Sequence, residues 1–248
     1  MSKTSGLGDH LSVAGVDISG DVGTLSRIAG GLTGTQDVTG IDKSAFERIG
    51  LLRDGGIEWT GFFNPAVGAA HALLSTLPTA DEIVTYHRGA AIGNAAASVV
   101  AKLINYDWTR GADGALTTQT QALANGYGLE WGQQLTAWQR TDTAATNGVS
   151  LDGTASSAQG AQAWLHVYAF TGTDVTVKIQ DSADDSSYAD VTGMAFTQVT
   201  AAPASQRIAT AAGATIRRYL RAGTVTTGGV TSVTFSVQVT RNATAVVF

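Results

Sequence analysis

Between Arg53 and Leu77 the chain commits itself to a turn, a strand and a helix in immediate succession, and everything else must be arranged around them. Asp54-Gly55-Gly56 supplies a turn in which glycine accepts positive φ without a Cβ clash. Ile57, Trp59, Gly61 and Phe63 then alternate with Glu58, Thr60 and Phe62, the period-two pattern of a strand with one buried face. Asn64 suits a helix N-cap and Pro65 the first helical position. Ala66, Ala70, Leu73, Leu74 and Leu77 form an apolar stripe that Pro78 stops, so the spacing predicts a helix over 65–77. No other stretch is as helical. One helix on a strand-rich chain predicts a mainly β fold, with a sheet covered on one side and free on the other.

The remaining chain reads as strands and turns. Residues 1–9 are small and polar, an arm. Strands are expected at 11–18 and 22–28, a glycine-rich loop at 29–40, and a short helical turn at Ser44–Glu47 from its capping-box spacing. Further strands follow at 82–88, 95–108, 116–123 and 128–138. Residues 141–160 are rich in Thr, Ala, Ser, Asn and Gly and lack large apolar side chains, the composition of a linker. Six strand candidates occupy 163–240 with no helix, as in an antiparallel β-sandwich or jelly roll. The expected division is therefore a first domain over 1–140, a linker over 141–160 and a β-sandwich over 161–248.

Charge narrows the partners. Residues 1–150 hold 9 Lys and Arg against 14 Asp and Glu, a balance of −5, whereas residues 151–248 hold 6 of each. An acidic first part disfavours gripping nucleic-acid phosphates but permits nucleic acid to slide past. Cysteine is absent, which excludes disulfides and thiolate chemistry. No apolar run approaches a membrane span, and no apolar stretch follows Lys3 as in a secretory signal.

Motifs for chemistry are sparse. His10, His71, His87 and His166 lie far apart and in no zinc-binding spacing, and no phosphate loop, dinucleotide fingerprint or nucleophile elbow occurs. Asp181, Asp184 and Asp185 form the one carboxylate cluster. It lacks the glycine and closing glutamate of a calcium loop and reads as a polar turn. Arg217, Tyr219 and Arg221 would share one strand face, a candidate surface for an anion or a sugar. Trp59, Trp108, Trp131, Trp138 and Trp164 are set among aliphatics, as core residues are. Asn242-Ala-Thr244 matches a glycosylation sequon. These residues predict no enzyme, metal or cofactor.

The run Gly50-Leu51-Leu52-Arg53-Asp54-Gly55-Gly56-Ile57-Glu58-Trp59-Thr60-Gly61-Phe62-Phe63-Asn64, followed by a short helix, resembles a segment of the major tail (tail tube) proteins of long-tailed, non-contractile phages, especially phages of actinobacteria. The likeness spans roughly residues 5–140, and the rest is similar to the immunoglobulin-like or related β-sandwiches that many such proteins carry outside the tube. The resemblance implies a β-sandwich or barrel with a flanking helix, six subunits per ring, stacked rings, and inner strands joined into one barrel around the genome's channel. It implies as partners further copies of the chain, a tape-measure protein, and terminator and tip proteins, with viral DNA passing unbound and no membrane. It implies a place in the virion tail, after assembly in the host cytoplasm. Glu58 and Glu130, and less directly Asp17 and Asp107, are candidates for an acidic lumen or a subunit interface, because they interrupt strands on the polar face. The alternative reading is a virion protein that binds a host surface or carbohydrate through the Arg217, Tyr219 and Arg221 face.

Overall fold

The alternating stretches pair into antiparallel ladders. In the computed structural model, which describes residues 5–245, the chain is mainly β. The first part carries β1 (His10–Val13), β2 (Val16–Asp17), β3 (Val22–Leu32), β4 (Thr35–Asp37), β5 (Arg48–Gly50), β6 (Arg53–Phe62), β7 (Glu82–His87), β8 (Ala95–Arg110), β9 (Leu116–Ala124) and β10 (Glu130–Gln134). The second carries β11 (Arg140–Asp142), β12 (Leu151–Asp152), β13 (Ala161–Gly172), β14 (Thr176–Ser182), β15 (Ala189–Ala195), β16 (Ala204–Ala209), β17 (Tyr219–Val225) and β18 (Val230–Arg241). One α-helix, α1 (Ala70–Leu74), lies between β6 and β7.

Apolar residues gather into two clusters. One, within residues 11–129, contains Leu11, Val13, Ile57, Trp59, Leu74, Val84 and Val99; the other, within 135–239, contains Leu165, Val177, Ile179, Phe196, Ile216, Phe235 and Val237. A twelve-stranded sheet nevertheless joins the halves, through β10 pairing with both β8 and β18. A second sheet, β12-β17-β14-β15, covers the later cluster.

Several expectations change. Asp54-Gly55-Gly56 is not a turn but the start of β6, paired with Gly31, Gly30 and Ala29. The helix spans Ala70–Leu74, shorter than 65–77, because Gly68 (φ 79°) and Leu77 (φ 49°) take left-handed backbone that no right-handed helix can run through. The Asp21 carboxylate accepts the Ala70 N–H (2.9 Å) and the Asn64 side-chain amide (2.8 Å), so Asn64 ties the chain down six residues before the helix starts. The glycine-rich stretch at 29–40 is not a loop: β3 runs to Leu32 and continues as the β4–β5 hairpin, which replaces the helical turn expected at Ser44–Glu47. Residues 141–160 are not a bare linker. β11 pairs with β18, β12 pairs with β17, and Leu151 is buried. Of the expected arm, Met1–Thr4 lie outside the described residues. Its later part is held by Arg88, whose guanidinium pairs with Asp9 and reaches the Ser5 carbonyl.

Candidate functional site

Four strands in the order β3-β6-β9-β8 form a sheet with one apolar and one polar face. The apolar face places Ile57, Trp59 and Ala122 in the first cluster, alongside Leu74 of α1. On the polar face, register aligns Arg27, Glu58, Gln121 and Asn105 in one row and Thr24, Thr60, Gln119 and Asp107 in the next; Phe62, Thr117 and Thr109 follow. These are cross-strand neighbours, so their side chains touch in rows.

Carboxylates on this face, Asp54 among them, outnumber cations, and part of the charge is paired. Glu58 pairs with Arg27 at 2.9 Å and accepts a second bond from the Gln121 amide at 2.6 Å. The Arg27 hydrogen bond, then Gln121, hold its carboxyl below the usual range. Lys102 is paired with Asp81 at 2.8 Å. Asp107 accepts a bond from Asn105 at 3.0 Å. Amides and hydroxyls make up most of the surface.

Both edges of the sheet are open among the described residues. β3 pairs only with β6, and β8 beyond Ala101 pairs only with β9. Each free edge is interrupted by bulges, β3 between Val22 and Thr24 and between Leu25 and Arg27, β8 between Leu103 and Asn105. Because neighbours alternate in direction, β3 and β8 run antiparallel to one another. A second copy's β3 therefore has the correct direction to continue β8.

At one end of the sheet the β3–β6 hairpin extends into an arm, residues 33–52. Thr33 N–H donates to the Leu52 carbonyl (2.8 Å), and β4 and β5 carry the ladder on. The arm stands roughly 20 Å beyond β3 at ~3.4 Å per residue. It exposes large apolar side chains, among them Ile41 (109% exposed), Phe46 (68%) and Leu52 (83%). At the opposite end, beside the 111–115 turn, Phe62, Phe63 and Leu116 are exposed, and Val67 lies in the segment that follows β6. Two exposed apolar regions on one small protein are characteristic of contact surfaces.

The other sequence-predicted residues lie apart from this face. Glu130, on β10, is paired with Arg53 at 2.6 Å and has a side chain only 13% exposed. Asp17, at the end of β2, accepts bonds from Ser19 and Gln139. The arginine group is engaged by neighbours. Arg217 grips Asp181 through its backbone N–H (2.8 Å) and Nε (2.7 Å), and it precedes β17 instead of sharing that strand with Tyr219. Arg221 lies 3.9 Å from the centre of the Tyr188 ring and donates to Gln180. Arg218 forks onto Asp152 with two bonds, and that pair holds the Asp152 carboxyl down at about 2. Asp184 accepts the Ser186 and Ser187 N–H groups, as a turn residue does. Among the described residues no group of His, Asp and Glu is placed to hold a metal ion.

Of the histidines, His71 meets the Tyr106 hydroxyl (2.9 Å) within an aromatic group that includes Phe63 and Trp108. His87 and His166 are buried together, a pairing not visible in sequence. Trp59 and Trp164 are core, Trp138 stacks on His10 (4.3 Å), and Trp131 is half exposed between two open clefts of about 340 and 470 Å³. The arm and the open edges went unread because glycine-rich runs resemble loops and edge status depends on what does not pair.

No family model matches the chain, and no curated protein matches it. Solved structures give weak likenesses. A chain in the virion of a native gene transfer agent particle aligns over 52% of this protein and 98% of its own length, at 14% identity and a TM-score of 0.43. The Dit protein of phage SPP1, described as a hub of the adsorption apparatus, aligns over 94% of this protein and 99% of its own length at 12% identity and a TM-score of 0.34. A chain of the phage P2 baseplate in its activated conformation aligns over 95% and 99%, at 9% identity and a TM-score of 0.33.

Proposed function

We propose that the protein is a self-assembling structural subunit of a phage tail, of the tail tube type, and that it performs no chemistry on a substrate. The observation that carries the reading is the sheet β3-β6-β9-β8, polar on one face and open at two edges that run antiparallel. A head-to-tail contact between such edges closes into a ring when its rotation allows. Six copies give a barrel of about 24 strands, roughly 115 Å around and 37 Å across at ~4.8 Å between strands, before strand tilt widens it. The polar face lines the bore. The apolar arm of one ring meets the Phe62, Phe63 and Leu116 end of the next, which stacks rings into a tube.

In this reading the bore carries viral DNA without holding it. Glu58, Asp107 and Asp54 are its lining carboxylates, and Glu58 is matched by Arg27. The lining is then net acidic. Threonines and glutamines face the phosphates, and the absence of a basic surface keeps them from sticking. Glu130 and Asp17 hold the subunit together away from the bore. Partners are other copies of the chain, a tape-measure protein inside the tube, and terminator and tip proteins at its ends. The setting is the virion, after assembly in host cytoplasm. The residue 161–248 unit decorates the outside.

Negative-stain microscopy and sedimentation of the purified protein test this. Six-fold rings or hollow tubes are expected as concentration rises. Monomers that persist at high concentration and bind glycans would favour the host-surface reading, which Arg217, Tyr219 and Arg221 serve poorly while occupied by Asp181, Arg218 and Tyr188.

Two further outcomes are expected. Removing residues 151–248 leaves the first apolar cluster intact, so the shortened chain folds and still forms rings; a soluble, folded fragment that never assembles would refute the division of labour. Glu58→Lys sets two cations side by side with Arg27, costs about 1 kcal/mol or less in urea unfolding, and slows genome ejection from particles that carry it. Unchanged ejection would remove Glu58 from the bore.

A further inference from the structure

Where the two apolar clusters meet, the surfaces in contact are polar. Ser12, Thr85 and Ser98 stand directly opposite one another on β1, β7 and β8, and His166 stands opposite Ser236 on β13 and β18. All five are buried. Hydrogen bonds join the two ladders, His166 Nε2 to Thr85 Oγ1 (2.9 Å) and the Tyr168 hydroxyl to Ser12 (2.7 Å); within the ladders Thr85 also bonds Ser98 and Tyr168 bonds Ser236 (2.7 Å each).

The state of His166 is fixed by its partners. Its Nδ1 accepts the Gly15 N–H at 3.1 Å, so that nitrogen carries no proton and Nε2 is the donor to Thr85. Gly15 and Ala14 form the two-residue turn between β1 and β2, both at positive φ (82° and 52°). The turn is seated against the Ala204 backbone, where a Cβ on Gly15 would lie 2.5 Å from the carbonyl oxygen. A proton added to Nδ1 would point at the Gly15 N–H, setting donor against donor, and the Ala204 backbone blocks relief on that side of the turn.

We propose that the Ala14–Gly15 turn is an acid-released latch: protonation of His166 expels the turn and parts the β1–β7 ladder from the β13–β18 ladder. His87 acts in the same sense. Its ring centre lies 6.5 Å from that of His166, and its Nδ1 is buried without a hydrogen bond, although Gln134 stands near enough to favour the charged ring. The other ionisable groups at the joint are His10 on β1 with Asp9 before it, Asp17 on β2, Arg88 after β7, and Tyr168 on β13. Further ionisable groups on the packed strands are Glu82 and Tyr86 on β7, Glu130 on β10, Arg207 on β16 and Arg241 on β18, with Tyr86 bonded to Asp9, Glu130 to Arg53, Arg207 to Gln162 and Arg241 to the Arg217 carbonyl.

Burial pushes His166 down to about 3 from 6.5, and burial, then His166 and His10, push His87 well below 6.5. A histidine depressed in the closed state binds fewer protons there than in the open state. Closure is therefore at full strength above about 6.5 and weakens as pH falls towards 3, by about 10-fold per pH unit for each histidine.

Amide exchange on the full chain tests the latch. Between pH 6.5 and 5, after correction for intrinsic rates, opening at Gly15 is expected to rise at least 10-fold while Ile179, in the second sheet, stays protected. In His166→Gln, whose amide cannot titrate, the rise is expected to shrink by about 10-fold per pH unit. The proposal is overturned if wild-type Gly15 shows no acid dependence, if Ile179 opens with the same slope, or if His166→Gln follows wild type. Should that variant not fold, the wild-type imidazole titration decides. A His166 ring that protonates near 6.5 while Gly15 stays protected overturns the latch; protonation that coincides with Gly15 opening supports it.

Discussion

Replacing residues 34–51 with a two-residue Asn-Gly turn is expected to abolish tube formation while leaving the subunit folded. The cut falls where the ladder is already closed, at the Thr33 N–H to Leu52 carbonyl bond, and such a turn suits a two-residue hairpin. None of the removed side chains belongs to either apolar cluster, so urea unfolding should move by less than about 1 kcal/mol. What disappears is contact area. Ile41 and Phe46 go, each worth about 1.5–3 kcal/mol if buried between copies. Together with Ile49 and Leu51, that is a loss of roughly a thousand-fold or more in ring-to-ring association. Electron microscopy should show single rings or dispersed subunits. Normal tubes from the shortened chain would mean that the arm does not join rings.

Gly15→Ala is expected to destabilise the protein by about 3–5 kcal/mol. Two effects add: φ of 82° is left-handed territory, worth about 1–2 kcal/mol against alanine, and the new Cβ meets backbone atoms of Ala204 at 2.5–2.9 Å that no side-chain rotation can clear. Gly8→Ala isolates the first effect, since Gly8 has φ of 80° with nothing within 4 Å of the added methyl. It should cost about 1–2 kcal/mol. Equal losses for the two variants in urea unfolding would remove the clash, and with it the tight seating of the turn on β16.

Much of the architecture was legible in the sequence because its evidence is local. The alternation of Ile57, Trp59 and Gly61 places β6 without knowledge of its neighbours. The alternation of Val233, Phe235, Val237 and Val239 does the same for β18. The helix over 65–77 was drawn too long: Asn64 does accept the Ala66 N–H as an N-cap would, but Gly68 at positive φ breaks the helix before Ala70, whose N–H goes to Asp21, 49 residues earlier. The small, polar stretch after Thr141 hid two strands because edge strands of this kind need little apolar surface. Sequence singled out Glu58 and Asp107, which share a face, together with Glu130 and Asp17, which lie elsewhere; alternation alone does not say which sheet a strand joins. His87 and His166 are lone histidines 79 positions apart, and only the packing of β7 against β13 makes them a pair.

The bulges at Val22, Leu25 and Leu103 carry a further consequence. A straight unpaired border would invite any passing extended chain, including a misfolded one, and a dense solution would gel into fibrils. A kinked border fits only a partner kinked to match. In a subunit of the kind proposed, such margins would stay uncovered yet selective until a matching counterpart arrives.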